Sequence, residues 1–589
     1  MTEPEPQRTG LSLQELIEQS EWVGAVSSPS STTSLRVDLM EGAVDRNLVG
    51  APIVILFTQE GKPTLLLGQV VNIELSNPYV EKHSIRKITS LKGNAPPLTG
   101  KHDVRTMEIL PGSVFVLEGN SLLPVNLGSV PSTGTKVYLF RMAVMERLVR
   151  GQPNIGYVGT IYGSEIPLPM YFLHFGKGAT GLGEGYHIGI FGKTGSGKSF
   201  LARMLITLYA RNLDMSILII DPVGEYSRDI RSGEHMGPVL RRIGRQVEAY
   251  KFTDIVFEWS ETFLRMLDRT RFYEELGIVR PENKESAREL LKELLEDPQT
   301  GTIKPTVSVP SPLGPQSHPI NTLQGFQLVL DHLGQNIRQI FVRDETARNR
   351  VLGNIQHRRA KLFGIWEPVA RLFVPDPTRK CLGDLLREIC PPAGGTRKIV
   401  SIDLSELSRF FDPEGVAILL NEIFERLERI AGEKYYRGEP LINLLIVVDE
   451  AHRFIPSGRV EDEDVNRLKV TLTKASRETR KFGLGWMFIS TSIAGLEAEV
   501  LKQMRIYFFG YGLCWGTELR ALRDLIGDER CINLYRTFRD PSTLIAMGGK
   551  EYPFMVYGPV SPLSASGDPL FFKALDYDSK FCQINNLVS

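Results

Sequence analysis

The stretch HIGIFGKTGSGKS, His187 to Ser199, decides the fold class. Its first residues are apolar or small and read as a buried strand, and the residues from Lys198 to about Arg211 carry a helical pattern. Between them, Gly192-Lys193-Thr194-Gly195-Ser196-Gly197-Lys198-Ser199 matches GxxxxGK[ST]. Strand, glycine-rich turn and helix in that order make a phosphate loop. Gly192, Gly195 and Gly197 let the backbone curl until successive N–H groups face a β-phosphate, and the helix N-terminus adds positive dipole. Lys198 is then expected to reach the β- and γ-phosphates, and the Ser199 hydroxyl to ligate Mg²⁺.

Downstream, SILIID completes a βαβ unit of a parallel α/β sheet and runs into Asp221-Pro222-Val223-Gly224-Glu225-Tyr226. Asp221 or Glu225 either positions water or metal, or Asp221 caps the next turn. A second acidic strand end is needed opposite the phosphate loop, and LLIVVDE supplies it. Asp449 falls at the tip of a buried strand, where open α/β sheets bind ligands, and Glu450 beside it can polarise water. The plain alternative is a solvated acidic pair. Neighbouring residues of a strand point to opposite faces, so both carboxylates serve one site only if the strand ends there.

A helix is expected from about Asp464 to Lys481, with Leu468, Leu472 and Ala475 as its apolar stripe. Lys474, Arg477 and Lys481 share one face by their offsets, with Arg480 alongside. Such a cationic end either complements the helix dipole in solvent or, in a ring, sends one arginine to a neighbour's γ-phosphate. The preceding Glu461-Asp462-Glu463-Asp464 reads as a solvated helix start.

Upstream, residues 20 to about 165 hold short β-branched and aromatic runs, among them WVGAV, APIVILF, TLLLGQVVNIEL, KVYLF and YVGTIYG, with turn residues between them. They predict a small barrel or sandwich without a catalytic constellation. A helix-rich insertion runs from about 253 to 390, broken where Pro305, Pro310, Pro312, Pro315 and Pro319 exclude helix. The residues after Tyr557 read as a tail wrapping a neighbour or the barrel.

At roughly 100–200 residues per domain, 589 residues predict three or four units. Hydrophobic residues at 42% and charged residues at 23% exclude a mostly disordered or membrane-embedded chain. The balance of 69 basic against 69 acidic residues excludes a generally basic DNA coat, so any nucleic-acid site depends on local charge. Five scattered cysteines without a CxxC pair argue against a zinc or disulfide framework. With an acidic, Pro-rich start and no apolar run near the ~20 residues that span a bilayer, the expected location is cytoplasmic, without a membrane anchor.

Taken in order, HIGIFGKTGSGKS, LIIDPVGEYS, VVDEAHRFIP and RETRKFGLGWMFIST resemble the HerA-like ATPases of the FtsK/HerA division, and the β-rich start resembles the barrel (HAS-type) that precedes their motor. The resemblance covers roughly residues 20 to 560. It implies an α/β chain with a RecA-like P-loop NTPase core, an N-terminal small β-barrel and a helical insertion. The expected division is a flexible leader 1–19, barrel 20–165, core 166–252, insertion 253–390, core 391–557 and tail 558–589.

The resemblance further implies a homo-hexameric, ATP- and Mg²⁺-dependent translocase or helicase of double-stranded DNA. A nuclease or other effector would dock on its barrel, in DNA end processing or anti-phage defence. Lys198 and Ser199 become nucleotide and magnesium residues, Asp449 the metal-supporting carboxylate, Glu450 the base, and Arg477 or Arg480 the trans-acting arginine. Two departures stand out. Thr491-Ser492-Ile493-Ala494 replaces a run in which a glutamine commonly senses the γ-phosphate, and Val223 stands where histidine is frequent. They keep a second reading open, an ATP-gated ring scaffold that activates a partner enzyme. A conjugation-type coupling protein is disfavoured, since that family usually carries N-terminal membrane helices.

Overall fold

A computed structural model of the chain describes residues 12–587 except 82, 94–97, 119–120, 153, 179, 310–315, 407–411, 545–549 and 565–566. Most of the expected leader, and Pro310, Pro312 and Pro315, lie outside the described residues. Residues 13–18 of that leader are a helix, Leu13–Glu18, started by a Ser12–Glu15 capping box, and its Leu13 and Ile17 are buried.

The uninterrupted apolar runs HIGIF, SILIID, LLIVV and LGWMFIS are buried along their whole length, the signature of strands covered on both faces. They belong to an eleven-stranded sheet. Its parallel part runs Gln246–Lys251, Lys398–Asp403, Ser216–Asp221, Leu444–Val448, Leu484–Ser490, His187–Phe191, Met504–Gly510. Leu484–Ser490 therefore separates the strand feeding the phosphate loop from the strand ending at Asp449.

Beyond Met504–Gly510 the sheet continues antiparallel through Pro553–Tyr557, Leu570–Ala574, Ile155–Ile161 and Pro167–Tyr171. Two expectations change here. YVGTIYG is a strand of the central sheet and not of the barrel, and the residues after Tyr557, expected as a tail wrapping a neighbour or the barrel, meet the barrel at Gly112 through Leu563 but also supply an interior strand of the sheet, Leu570–Ala574. Gly159 makes the pairing possible, because a Cβ there would stand 2.4 Å from the Lys573 carbonyl oxygen.

The barrel closes with six strands in the order Leu35–Leu39, Trp22–Ser27, Lys136–Leu139, Pro52–Gln59, Lys62–Ser76 and Val104–Glu118, the last pairing back onto the first. Buried Gln69 anchors it to the motor: its amide donates to the Gly50 and Phe571 carbonyls at 2.7 and 3.1 Å and accepts from the Phe571 N–H at 3.0 Å.

The insertion is helical as expected, with a hairpin, Thr306–Val309 and Gln316–Pro319, where the prolines interrupt it. Trp366 centres its core, within 5.1–5.4 Å of the Phe263, Phe272 and Phe326 rings, with its indole N–H donating to the Ile320 carbonyl. Among the described residues no helix is long and apolar enough to cross a membrane.

Candidate functional site

The phosphate loop leaves the strand at Phe191 and enters the helix Lys198–Tyr209 through Gly197 in the left-handed region, φ +88°. A Cβ at Gly197 would fall 2.6 Å from the Tyr552 ring, and one at Gly192 would fall 2.5 Å from Ser196 Oγ. Tyr552, which sequence reasoning did not single out, thus backs the loop and also stacks near Phe200, 5.6 Å between centroids. Lys198 Nζ donates to the Lys193 carbonyl at 3.2 Å, closing the loop on itself. Burial pulls the Lys198 ammonium below the usual lysine range, while Glu450, Asp449 and Glu225 oppose that shift. The charges of all three carboxylates are felt at the loop lysine.

The strand Leu444–Val448 ends before Asp449, and Glu450 turns in the left-handed region, φ +47°, ψ +43°. For a non-glycine residue this conformation is strained by ~1–3 kcal/mol. It removes the strand alternation, so Asp449 and Glu450 both bear on Lys198. Asp449 is buried and accepts the Glu450 N–H at 2.9 Å. Burial, followed by the charge of Glu450, pushes the Asp449 carboxyl up to about 7. His452 sits next to this pair, its Nδ1 3.4 Å from Glu450 Oε2 and 3.3 Å from Ser490 Oγ. Burial lowers the proton affinity of His452, with Glu450 opposing. The intervening strand thus delivers Ser490 beside the acidic pair, an arrangement that no local sequence signal announces.

The Ser199 hydroxyl at the helix start and the Asp449 carboxylate fit a small hard cation, since both offer oxygen. Among the described residues no group of three or more His, Cys, Asp or Glu side chains could hold a metal by itself. Mg²⁺ is usually bound through one or two protein oxygens together with substrate phosphates and water.

Asp221 is a cap. Its carboxylate accepts the N–H groups of Gly224, Glu225 and Ser227 at 2.8, 3.1 and 2.8 Å, fixing the start of the helix Glu225–Ser232. Glu225 is held at 2.7 Å by Arg203 of the phosphate-loop helix, which also grips Asp229 at 2.6 Å.

Ser492 is engaged elsewhere. Its hydroxyl donates to the Glu518 carboxylate and accepts the Gly495 N–H at 2.7 Å, while Glu518 also takes the Ile493 N–H at 2.8 Å. Glu518 therefore ties down the loop that follows Thr491.

The helix Glu463–Glu478 continues as a 3₁₀ turn, Thr479–Phe482. Its acidic start is solvated at Glu461 and Glu463 but not at Asp462 and Asp464. Asp464 is buried and pairs with Arg265 at 2.7 Å, and Asp462 pairs with Arg269 at 2.6 Å, binding the helical insertion to the motor. At the far end Lys474 pairs with Glu428 at 2.7 Å and Arg480 with Glu184 at 3.0 Å, whereas Arg477 is exposed and makes no ion pair with the described residues. Glu184 precedes the strand His187–Phe191, so Arg480 lies at the strand end opposite the phosphate loop, about 16 Å away along five residues, and Arg477 stands one turn before it on the same segment.

Residues 185–304, which include the phosphate loop and the DPVGEY turn, match the family model described as Helicase HerA, central domain. The resemblance read from the motifs holds over that segment. No curated protein matches the chain. Among solved structures it is similar to VirB4 of Thermoanaerobacter pseudethanolicus, at 14% identity over 72% of this chain and 96% of that one, TM-score 0.37. It is also similar to the bacterial conjugative coupling protein TrwBdeltaN70, at 13% over 74% and 92%, TM-score 0.34. A third is the genome packaging NTPase B204 from Sulfolobus turreted icosahedral virus 2 with ATP-gammaS, at 11% over 66% and 98%, TM-score 0.28. At these scores the likeness is distant.

Proposed function

We propose, for a chain that carries a HerA-type central domain over residues 185–304, an ATP-driven ring motor that moves double-stranded DNA and works with a nuclease or other effector docked on its barrel. What supports this reading is that the residues expected of one ATPase centre would be divided between the two ends of the parallel strands. The phosphate loop, Asp449 and Glu450 stand at the C-terminal ends of the parallel strands, and Arg477, exposed and without an ion pair among the described residues, stands toward the other end. A site split this way is completed by a neighbouring copy, and a head-to-tail repeat of that interface closes a ring, here a hexamer.

In this reading the loop N–H groups and Lys198 bind the ATP phosphates, and Ser199 and Asp449 would hold Mg²⁺. When bound, that ion neutralises charge on the β- and γ-phosphates. Glu450 takes the proton of the attacking water, oriented by His452 and Ser490. Arg477 of one subunit stabilises charge on the γ-phosphate held by the next. Hydrolysis that duplex DNA accelerates, and that Lys198→Ala abolishes, is the test.

The engagement of Ser492 by Glu518 favours a second reading, an ATP-gated scaffold that activates its partner without moving DNA. ATP-dependent activation of a partner with no stimulation by duplex would select it.

A further inference from the structure

Charge is not spread evenly over this neutral chain. Residues 338–361 of the helical insertion hold seven arginines and lysines against two acids, Asp344 and Glu345. Several cations of the insertion are neutralised: Arg265, Arg269 and Arg288 pair with Asp464, Asp462 and Glu261, and at the end of this run Arg358 and Lys361 pair with Glu275. Arg338, Arg343 and Arg350 are exposed and make no ion pair with the described residues.

The turn that presents Arg343 is held from inside. Asp344 caps the helix Glu345–His357 by accepting the Ala347 N–H at 2.9 Å. Arg348, one turn on, donates to the Phe341 carbonyl at 2.6 Å and to that of Val342. Phe341 is buried, while Val342 is 75% exposed and Arg343 projects beside it. The turn therefore offers an apolar tip and a cation on a braced backbone, with Arg350 on the helix behind. Exposed guanidinium groups without an ion pair among the described residues, in a run of seven basic against two acidic residues, suit a ligand with regularly spaced phosphates.

We propose that Arg338, Arg343 and Arg350 contact the phosphate backbone of duplex DNA, making this edge of the helical insertion the track along which the motor grips its substrate. The assignment rests on the motor reading and adds the residues that carry it. Binding here is independent of sequence and salt-sensitive, because neutralising backbone phosphates releases counterions.

The test is fluorescence anisotropy of the full chain with a labelled duplex of mixed sequence across a salt series, comparing wild type with the Arg338→Glu/Arg343→Glu/Arg350→Glu variant. The variant is expected to bind at least about tenfold more weakly near 100 mM salt. Its log-affinity against log-salt slope should shrink by about 0.9 for each phosphate that the variant no longer neutralises. Melting temperature and DNA-free ATP hydrolysis should stay at wild-type values, since the three side chains make no ion pair with the described residues. Equal affinity and slope in both proteins would overturn this assignment while leaving the motor reading standing, and would redirect the surface to an acidic protein partner. A wild-type chain without measurable duplex affinity would overturn both.

Discussion

Arg480 donates to Glu184 at 3.0 Å, and that pair fastens the end of the 463–482 helical segment to the residues just before the phosphate-loop strand. Arg480 is thereby occupied within its own subunit, while Arg477, three residues earlier, is free to leave it. The sequence left these two arginines equivalent; the ion pair separates them.

Rings assembled with a fraction of Arg477→Ala subunits should lose ATP hydrolysis more steeply than that fraction, because each variant subunit silences its neighbour's site. The full variant should fall by ~10³-fold or more if Arg477 acts as a trans arginine. Arg480→Ala should cost melting temperature before it costs turnover. Mixing experiments with steady-state hydrolysis check both, and a loss strictly proportional to the Arg477→Ala fraction would remove the trans role.

Glu450→Gln should keep nucleotide affinity and lose ~10²–10⁴-fold in turnover, the contribution of a positioned general base. Equilibrium binding of a labelled ATP analogue alongside hydrolysis separates the two effects. Retained turnover would move the base to another group.

Asp449 links the site to pH. Its folded carboxyl titrates near 7, raised first by burial and then by Glu450, whereas an unfolded aspartate titrates near 4. Between those values the folded chain holds a proton that the unfolded chain has released, so the nucleotide- and metal-free protein loses stability as pH rises through that window. Asp449→Asn removes the cost. It should melt above wild type at pH 8, and the advantage should vanish near pH 4; calorimetry across that range is the check.

Glu518 holds the loop after Thr491 through Ser492 and the Ile493 N–H, so Glu518→Ala should lower kcat by about tenfold to a hundredfold with KM for ATP little changed. Glu518→Gln, which retains an acceptor oxygen, should recover part of the loss. Equal damage from both substitutions, with a lowered melting temperature, would mean the carboxylate serves only the fold.

Local chemistry was legible in the sequence wherever one segment carries it. The phosphate loop needs only its own glycines and flanking apolar runs, and LLIVVDE announces a buried strand ending in acid. Pairing between distant segments was not legible. YVGTIYG has the same alternation whether it closes a barrel or extends the central sheet, and what directs it is Gly159 meeting Lys573 more than four hundred residues later. His452 and Ser490 meet because one strand intervenes between two others, a fact of sheet order. The acidic run at 461–464 looked solvated throughout because Arg265 and Arg269, which take up Asp464 and Asp462, lie about two hundred residues away. Asp221 carried both readings until its three backbone donors were visible.

The central claim, that ATP hydrolysis by this chain moves duplex DNA, is tested most directly by displacement of a labelled third strand from a triplex at the end of a duplex. The account predicts displacement that requires ATP and Mg²⁺, accompanies duplex-stimulated hydrolysis, and is absent in Lys198→Ala. Steady hydrolysis that duplex does not stimulate, with the third strand left in place, would contradict it.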